Sequence, residues 1–218
     1  MQIDHRAYFE QRCPIILELG FRPDGLEALW TYIQLLWNSN QELNLISRQM
    51  SFEELIDNHV IDCLLPLSLF PQGVQSAADF GSGGGLPGVI YAIQFPQIAW
   101  TLYEKSPLKQ DFLKACQKIA PNLKVEGSIP LLLKNTDLVT ARAFKPIDVI
   151  IDVSRSYAKN GGKYFLLKAR LEKIEEELVL MRKKQKELSI QAIPLKSPIL
   201  DVERHLVLIN FEDLAPLN

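Results

Sequence analysis

The chain has 218 residues, of which 47% are hydrophobic and 23% are charged, a composition typical of a globular protein with a full apolar core. Its formal net charge of −2 argues against a broadly basic nucleic-acid-binding protein, although a local basic surface is compatible with that value. The cysteines Cys13, Cys63 and Cys116 are widely separated and lack CxxC spacing, which argues against a disulfide framework or a zinc site and favours a reducing compartment.

Helical periodicity dominates the N-terminal third of the sequence. Apolar residues recur at steps of three and four within 26–37 and again within 52–64, and each series makes one apolar helix face. Ser51 and Glu54 form a candidate capping box at the start of the second of these helices. We therefore predict an N-terminal helical cap over residues 1–72.

The remaining residues, 73–218, alternate short apolar runs with amphipathic stretches. This alternation predicts an α/β domain with a mostly parallel, doubly wound sheet, in which ligands bind beyond the carboxyl ends of the strands. Strands are predicted at 76–80, 98–103, 124–126, 138–141, 162–167, 189–194 and 204–210. Helices are predicted at 87–95, 107–120, 146–156 and 170–187.

The stretch ADFGSGGGLPG, residues 78–88, lies between the first predicted strand and the helix that follows it. So many glycines at a strand end indicate that a ligand approaches the backbone closely. Gly83, Gly85 and Gly88 satisfy the GxGxxG pattern of dinucleotide-binding proteins, but a lone match to this pattern is weak evidence. A third possibility is that the loop has a purely structural role and binds no ligand.

Two acidic residues bear on the choice between S-adenosylmethionine and a dinucleotide, and Asp79 favours S-adenosylmethionine. Asp79 precedes Gly81 by two residues, and a carboxylate there would repel a pyrophosphate but would suit the ammonium group of the methionine moiety. Glu104 ends the next predicted strand and follows Asp79 by 25 residues. A carboxylate at that position can accept hydrogen bonds from ribose hydroxyls, a role common to both cofactor classes.

The sequence resembles the family of bacterial ribosomal RNA small subunit methyltransferase G, also called glucose-inhibited division protein B. The resemblance extends from about residue 30 to 209 and is carried by the motifs NQELNLIS (40–47), HVIDC (59–63), DFGSGGGLPG (79–88), LYEKSPLKQDFL (102–113), TARAF (140–144), GGKYFLLK (161–168) and ERHLVLI (203–209). It implies a Rossmann-like class I S-adenosylmethionine-dependent methyltransferase with a seven-stranded sheet. The implied reaction is methylation of guanine N7 in 16S ribosomal RNA.

The residue types agree with that reaction. Guanine N7 carries an in-plane lone pair and no proton, so the site needs positioning and electrostatics rather than a general base. The sequence lacks an NPPY-type tetrapeptide, as used by methyltransferases of exocyclic amines, and a Pro-Cys pair, as needed for covalent attack on cytosine. Cys63 and Cys116 lie on apolar helix faces, and we expect both in the core.

The resemblance also implies cofactor-binding positions. Gly81 and Leu86, with Gly83 and Gly85 of the same motif, would lie along the methionine and ribose moieties, and Ile129 and Pro130 would meet the adenine. Arg142 is implied as a cofactor-site residue, and we expect it to be the catalytic residue. Its side chain could instead hold guanine O6 or a phosphate, or form a surface salt bridge.

Four residues are candidates for substrate binding. Phe144 could stack on a flipped base or lie as a core aromatic under the sheet. Asn40, Lys168 and Arg204 could face the cofactor mouth or the RNA, whereas Asn40 could also simply hold the helical cap. Lysines near predicted strand ends form a candidate basic rim, namely Lys105, Lys109, Lys114, Lys145, Lys163 and Lys168. His59 and Asp62, three residues apart, form an orienting or a structural pair.

The chain departs from the family at a few positions. Asn58 stands where the family usually has arginine, Ser128 and Pro130 replace an arginine and an acidic residue, and Ala169 replaces a glycine. Because two of these changes remove basic residues, they weaken any argument about how RNA is held.

The implied partner is 16S ribosomal RNA in the small subunit. The N-terminus is polar and no apolar run approaches ~20 residues, so we expect no signal peptide, no membrane partner and a cytoplasmic location. We expect a monomer. We expect no metal ion, because the sequence has no cluster of possible ligands at suitable spacing. The alternatives are methylation of another RNA or of a small molecule, or a non-catalytic assembly factor that binds ribosomal RNA.

Overall fold

The structure is a computed structural model that describes residues 4–184 and 187–211. Its N-terminal part is helical, as predicted. The predicted capping box is present, because Ser51 Oγ accepts from Glu54 N at 3.2 Å and Glu54 Oε2 accepts from Ser51 N at 2.8 Å. The helices are α1 (His5–Glu18), α2 (Leu26–Leu43), α3 (Phe52–Leu55) and α4 (Ile61–Leu64), with 3₁₀ turns at Pro23–Gly25 and Leu67–Leu69 and a π-helical turn at Ile56–Val60 between α3 and α4.

A seven-stranded sheet follows, in the order β3-β2-β1-β4-β5-β7-β6, in which β7 pairs antiparallel with β5 and β6 and the other described pairs are parallel. The strands are β1 (Ser76–Phe80), β2 (Ala99–Tyr103), β3 (Leu123–Glu126), β4 (Leu138–Arg142), β5 (Lys163–Lys168), β6 (Ile190–Leu195) and β7 (Arg204–Ile209). All seven predicted strands are present, and no end differs from its predicted position by more than one residue. The predicted fold class is confirmed.

The helices among the strands are α5 (Gly88–Gln94), α6 (Pro107–Cys116), α7 (Ile147–Val153), α8 (Arg155–Lys159) and α9 (Leu171–Lys184). The single helix predicted at 146–156 is wrong. Ser154 leaves the helical conformation (φ −123°, ψ 32°), and its hydroxyl is 2.7 Å from Ile150 O and 2.8 Å from Tyr164 Oη. Residues 185 and 186 of the last predicted helix lie outside the described residues.

One apolar core joins the N-terminal helices to the sheet. Leu29, Ile33 and Leu36 of α2 belong to the same buried cluster as Tyr91 of α5 and Trp100 of β2. A second cluster covers the opposite face of the sheet beneath α7 and α9. The N-terminal helices are therefore packed onto one face of the sheet, and the division near residue 72 stays a prediction.

Candidate active site

The loop between β1 and α5 adopts positive φ angles, 68° at Gly81, 53° at Gly83 and 88° at Gly85. A Cβ on Gly81 would overlap the ring of Phe144, and one on Gly85 would overlap the side chain of Val89. Gly83 differs, because a Cβ there would meet only Gly81 O, at 3.8 Å. The loop is thus closely packed at Gly81 and Gly85 and open to a ligand at Gly83.

Glu104 holds this loop from the end of β2. Its Oε2 accepts from Gly83 N at 3.0 Å, and its Oε1 accepts from Ser106 N at 2.8 Å. Because each carboxylate oxygen has two lone pairs, both retain a free acceptor position for ribose hydroxyls. Glu104 can therefore support the glycine loop and bind a sugar at the same time.

A first cavity of about 440 Å³ opens at the carboxyl edge of the sheet, between the glycine loop, the ends of β2 and β4 and the N-terminal helices. Its volume lies within the ~300–1,000 Å³ typical of small-molecule sites. The predicted residues that line it are Gly81, Gly83, Leu86, Glu104, Ile129, Arg142 and Phe144. Gly85 and Pro130 are not on its wall, because Gly85 packs against Val89 and the exposed Pro130 lies beside Ile129.

Asp79 is buried beneath the loop and does not line the first cavity. Its Oδ1 accepts from Thr140 Oγ1 at 2.9 Å, whereas its Oδ2 has no hydrogen-bond partner among the described residues and lies where a Cβ on Gly88 would come within 2.8 Å. Burial raises the pKa of Asp79 to about 6, against the opposing effect of the hydrogen bond from Thr140. Direct contact between Asp79 and a cofactor ammonium therefore has no support in this geometry.

Arg142 ends β4 and reaches the N-terminal helices. Its Nη1 donates to Asp62 Oδ2 at 3.2 Å and its Nη2 donates to His59 Nδ1 at 2.6 Å, while Nε is buried without a partner among the described residues. Asp62 Oδ1 also accepts from Arg204 Nε, at 2.5 Å. The alternative of a surface salt bridge is wrong, because the side chain of Arg142 is only 14% exposed.

The π-helical turn between α3 and α4 brings His59 and Asp62 to this arginine. An arginine has only donors, so the 2.6 Å contact fixes His59 Nδ1 as an acceptor and places the proton of the neutral ring on Nε2. Burial, together with the charges of Arg142 and Arg204, lowers the pKa of His59 to about 4. His59 is therefore a neutral donor on the wall of the first cavity.

A second cavity, also of about 440 Å³, adjoins the first and shares Arg142, Ala143 and Phe144 with it. It is bounded by the loop after β4, the end of β5 and the start of β7. Lys168 and Arg204, both predicted as substrate-binding residues, line this cavity. Lys168 is largely engaged, because its Nζ donates to Glu177 Oε2 at 2.7 Å and to Lys145 O at 3.0 Å.

Ala143 adopts a left-handed conformation (φ 52°), which is uncommon for a residue other than glycine and is often found at functional sites. Because of this turn, the side chains of the residues before and after Ala143 point in different directions. Arg142 is directed to the N-terminal helices, and the half-buried Phe144 packs over Gly81. Phe144 thus forms part of the wall between the two cavities and also packs against the apolar core beneath it.

Asn40 does not line either cavity. It is 1% exposed, and its Oδ1 accepts from Ile46 N at 2.8 Å. Asn44 ends α2 with φ 50°. The predicted contact of Asn40 with substrate is therefore not supported, because the side chain instead fixes the loop that carries Leu45 and Ile46 to the first cavity.

The basic rim is smaller than predicted. Lys105 and Lys109 line the first cavity, and Lys145 and Lys168 line the second. Lys114 pairs with Asp111 at 3.1 Å on the surface of α6, and Lys163 begins β5 at the opposite edge of the sheet. Both are excluded from the rim by their position.

Other expectations concern the core and ligands. Cys63 and Cys116 are fully buried, as predicted, and burial raises the pKa of each thiol to about 12. Across residues 4–184 and 187–211, no group of three or more potential metal ligands occurs. No helix of the described chain combines the length and hydropathy needed to cross a bilayer.

Several residues of the two cavities were not assigned a role from the sequence. Tyr103, Leu45 and Ile46 line the first cavity, and all three lie inside motifs that carry the family resemblance. His205 lines the second cavity and lies in the motif 203–209. Glu177 lines the second cavity from α9 and lies in none of these motifs, so packing of α9 alone places it there.

The fold is similar to that of solved methyltransferases. The METTL16 MTase domain matches with a TM-score of 0.56 and 10% sequence identity, covering 97% of this chain and 93% of the other. An O-methyltransferase from Bacillus cereus in complex with SAH matches with a TM-score of 0.56 and 11% identity, covering 82% and 90%. At these identities the likeness concerns the fold alone.

Sequence comparison is more specific. Residues 25–207 match the family model GidB, described as rRNA small subunit methyltransferase G. Ribosomal RNA small subunit methyltransferase G 1 from Bdellovibrio bacteriovorus is 63% identical over 202 residues, which cover 93% of this chain and 98% of the relative. A ribosomal RNA small subunit methyltransferase G from Brachyspira hyodysenteriae is 32% identical, with 84% and 90% covered. The chain therefore belongs to the GidB family of ribosomal RNA small subunit methyltransferases.

Proposed function

We propose that this protein transfers a methyl group from S-adenosylmethionine to N7 of a guanosine in the 16S ribosomal RNA of the small subunit. The observation that carries the proposal is the pair of adjoining cavities at the carboxyl edge of a class I methyltransferase sheet, together with membership of this family. This substrate lies in the cytoplasm, and we propose that the protein acts there as a monomer.

The first cavity fits the cofactor. The open backbone at Gly83 is a cradle that a side chain would fill, and Glu104 beside it retains acceptor positions suited to ribose hydroxyls. The half-buried Ile129 offers an apolar surface to an adenine ring. S-adenosylmethionine, when bound, supplies an electrophilic methyl group on a sulfonium.

The protein's own contribution is positioning and electrostatics. Guanine N7 has a free lone pair, so the transfer needs no general base, and the thiols of the described core are protonated and buried. Arg142 is held by Asp62 and His59 with its Nε unpaired at the wall between the cavities. We assign Arg142 the role of orienting the reactants, since a fixed guanidinium loses little order when it binds.

Charge distribution supports an RNA substrate. The second cavity carries four basic side chains, Arg142, Lys145, Lys168 and Arg204, against two acidic ones, Asp62 and Glu177. This local excess of positive charge lies on a chain whose net charge is −2. A polyanion would therefore be attracted to the edge of the sheet where the two cavities open.

The decisive experiment measures transfer of labelled methyl from S-adenosylmethionine to small subunits prepared from a strain that lacks this modification, with the label mapped by cleavage at N7-methylguanosine. We expect one labelled guanosine in 16S ribosomal RNA. Tight binding of adenosylhomocysteine without transfer would indicate methylation of another RNA or of a small molecule. Weak cofactor binding despite the intact loop would instead indicate a non-catalytic assembly factor.

A further inference from the structure

The second cavity has a position suited to the target base. This inference rests on the proposed function, in which guanine N7 must approach a methyl group held in the first cavity. The two cavities share the wall formed by Arg142, Ala143 and Phe144. A base in the second cavity with its N7 toward this wall would lie beside the cofactor without entering the cofactor's own space.

Some hydrogen-bonding groups of the second cavity already have partners within the protein, and others do not. The carboxylate of Asp62 accepts from two arginines, and that of Glu177 accepts from Lys168 and from Ile147 N. His205 is 6% exposed, and its Nδ1 donates to Ala169 O at 2.7 Å. In the neutral ring Nε2 is then a bare acceptor, and no described residue hydrogen-bonds to it.

Strand order places this acceptor opposite the shared wall. Arg142 of β4 is in register with Leu167 of β5, and Lys168 of β5 is in register with His205 of β7. His205 is therefore two strands away from Arg142, or roughly 10 Å at the usual spacing between neighbouring strands. Because successive residues of a strand project to opposite faces, Arg142 and His205 leave the sheet on opposite faces, and both reach the second cavity at the strand ends. In guanine, the exocyclic amine lies on the side of the base remote from N7, so the amine would face His205 when N7 faces Arg142.

We propose that His205 recognises the exocyclic amine of the target guanine, by accepting a hydrogen bond from it at Nε2. Adenine has an N7 but carries only a C–H at the corresponding position. An adenine in the second cavity would cover Nε2 of His205 and leave this acceptor unpaired, which is an effective means of rejecting the wrong base. His205 thus contributes base specificity to a reaction whose attacking atom is common to both purines.

Inosine tests this role, because it keeps N7 and O6 of guanosine and lacks only the exocyclic amine. Small subunits are reconstituted with 16S ribosomal RNA, joined by splinted ligation, that carries guanosine or inosine at the target position. For the unaltered protein we expect kcat/KM to fall about 10- to 100-fold with inosine. His205→Asn, which keeps a donor near Ala169 O but withdraws the acceptor, should methylate both substrates at one low rate.

His205→Gln is the matched variant, because its amide oxygen can reach the position of Nε2 while the contact with Ala169 O is lost. We expect it to retain a preference for guanosine. A role confined to anchoring Ala169 predicts the opposite pattern, with His205→Asn active and His205→Gln impaired. Both variants should bind adenosylhomocysteine as the unaltered protein does.

Three outcomes would overturn the assignment. These are equal rates of the unaltered protein on guanosine and inosine, an equal loss of both rates in His205→Asn, or weakened adenosylhomocysteine binding in that variant. No transfer to guanosine-containing subunits by the unaltered protein would instead overturn the proposed function itself, and this inference with it.

Discussion

Arg142 Nη2 lies 2.6 Å from His59 Nδ1, so a residue at the end of a central strand is held by the helices that precede the sheet. The same guanidinium contacts Asp62, which in turn pairs with Arg204 of β7. Three separate segments of the chain are joined in this way at the wall between the two cavities. A guanidinium with both terminal nitrogens engaged has a fixed orientation, which is the property required of a positioning group.

Arg142→Ala should abolish methyl transfer. We expect the rate to fall at least about 100-fold, as is common when a fixed electrostatic group is removed from a site. The free energy of unfolding should fall by about 3 kcal/mol, because the mutation removes one partner of a buried ion pair and leaves His59 Nδ1 without its donor. Methyl-transfer rates, adenosylhomocysteine affinity and denaturant unfolding measure the three effects separately.

Arg142→Lys is the matched control for charge. A lysine keeps the positive charge but cannot donate to His59 and Asp62 in the fixed planar geometry of a guanidinium. We expect it to recover most of the stability and little of the rate. An Arg142→Ala variant with a near-full rate would remove Arg142 from the mechanism.

The contacts of Arg142 also mark the limit of sequence reasoning. The strands could be predicted to within one residue, because alternation of apolar runs and turns is a local signal. The glycine loop and Glu104 could be predicted because they sit at the ends of neighbouring strands. The contacts of Arg142 with Asp62, 80 residues away, and of Asp62 with Arg204, 142 residues away, depend on packing that no local pattern encodes.

Asn40 illustrates the converse. The sequence allows Asn40 either to face the ligand or to hold the helical cap, and in the structure its Oδ1 accepts a hydrogen bond from Ile46 N. A short polar side chain near a helix end commonly bonds to local backbone, and the sequence alone does not distinguish that role from ligand binding.

Gly83→Val should block cofactor binding, because the new side chain would extend into the first cavity. Gly161→Val is the matched control, since Gly161 also has a positive φ (78°) and open surroundings but lies away from both cavities. We expect both variants to lose about 1–2 kcal/mol of stability from backbone strain. Calorimetric titration with adenosylhomocysteine should show binding lost only in Gly83→Val, and an unchanged dissociation constant there would contradict the assignment of the loop.

Glu104→Gln should weaken cofactor binding by about 10- to 100-fold. The amide nitrogen would face either Gly83 N or Ser106 N, both of which donate to the carboxylate, so one contact of the loop would become repulsive. Glu126→Gln is a suitable control, because Glu126 ends the neighbouring strand β3 and pairs only with Lys124 among the described cations. Equal affinities of the two variants for adenosylhomocysteine would argue against the role of Glu104.

Asp79→Asn should change how stability depends on pH. The pKa of Asp79 is raised by burial to about 6 in the folded protein, above the ordinary value of 3.8 for an aspartate. A folded state that binds the proton more tightly than the unfolded state is most favoured below pH 4, and this contribution is lost as the pH rises through about 6. The two pKa values correspond to a loss of roughly 2 kcal/mol between pH 4 and pH 7.

An asparagine does not titrate, so the variant should lack this component. Denaturant unfolding of both proteins from pH 4 to pH 7.5 gives the comparison, with titration of all other groups common to the two. The stability of Asp79→Asn relative to the parent should therefore increase as the pH rises. Parallel curves would show that Asp79 titrates normally. The buried position of Asp79 argues against its direct contact with the ammonium group of the cofactor. A loss of adenosylhomocysteine affinity in Asp79→Asn would be evidence for that contact.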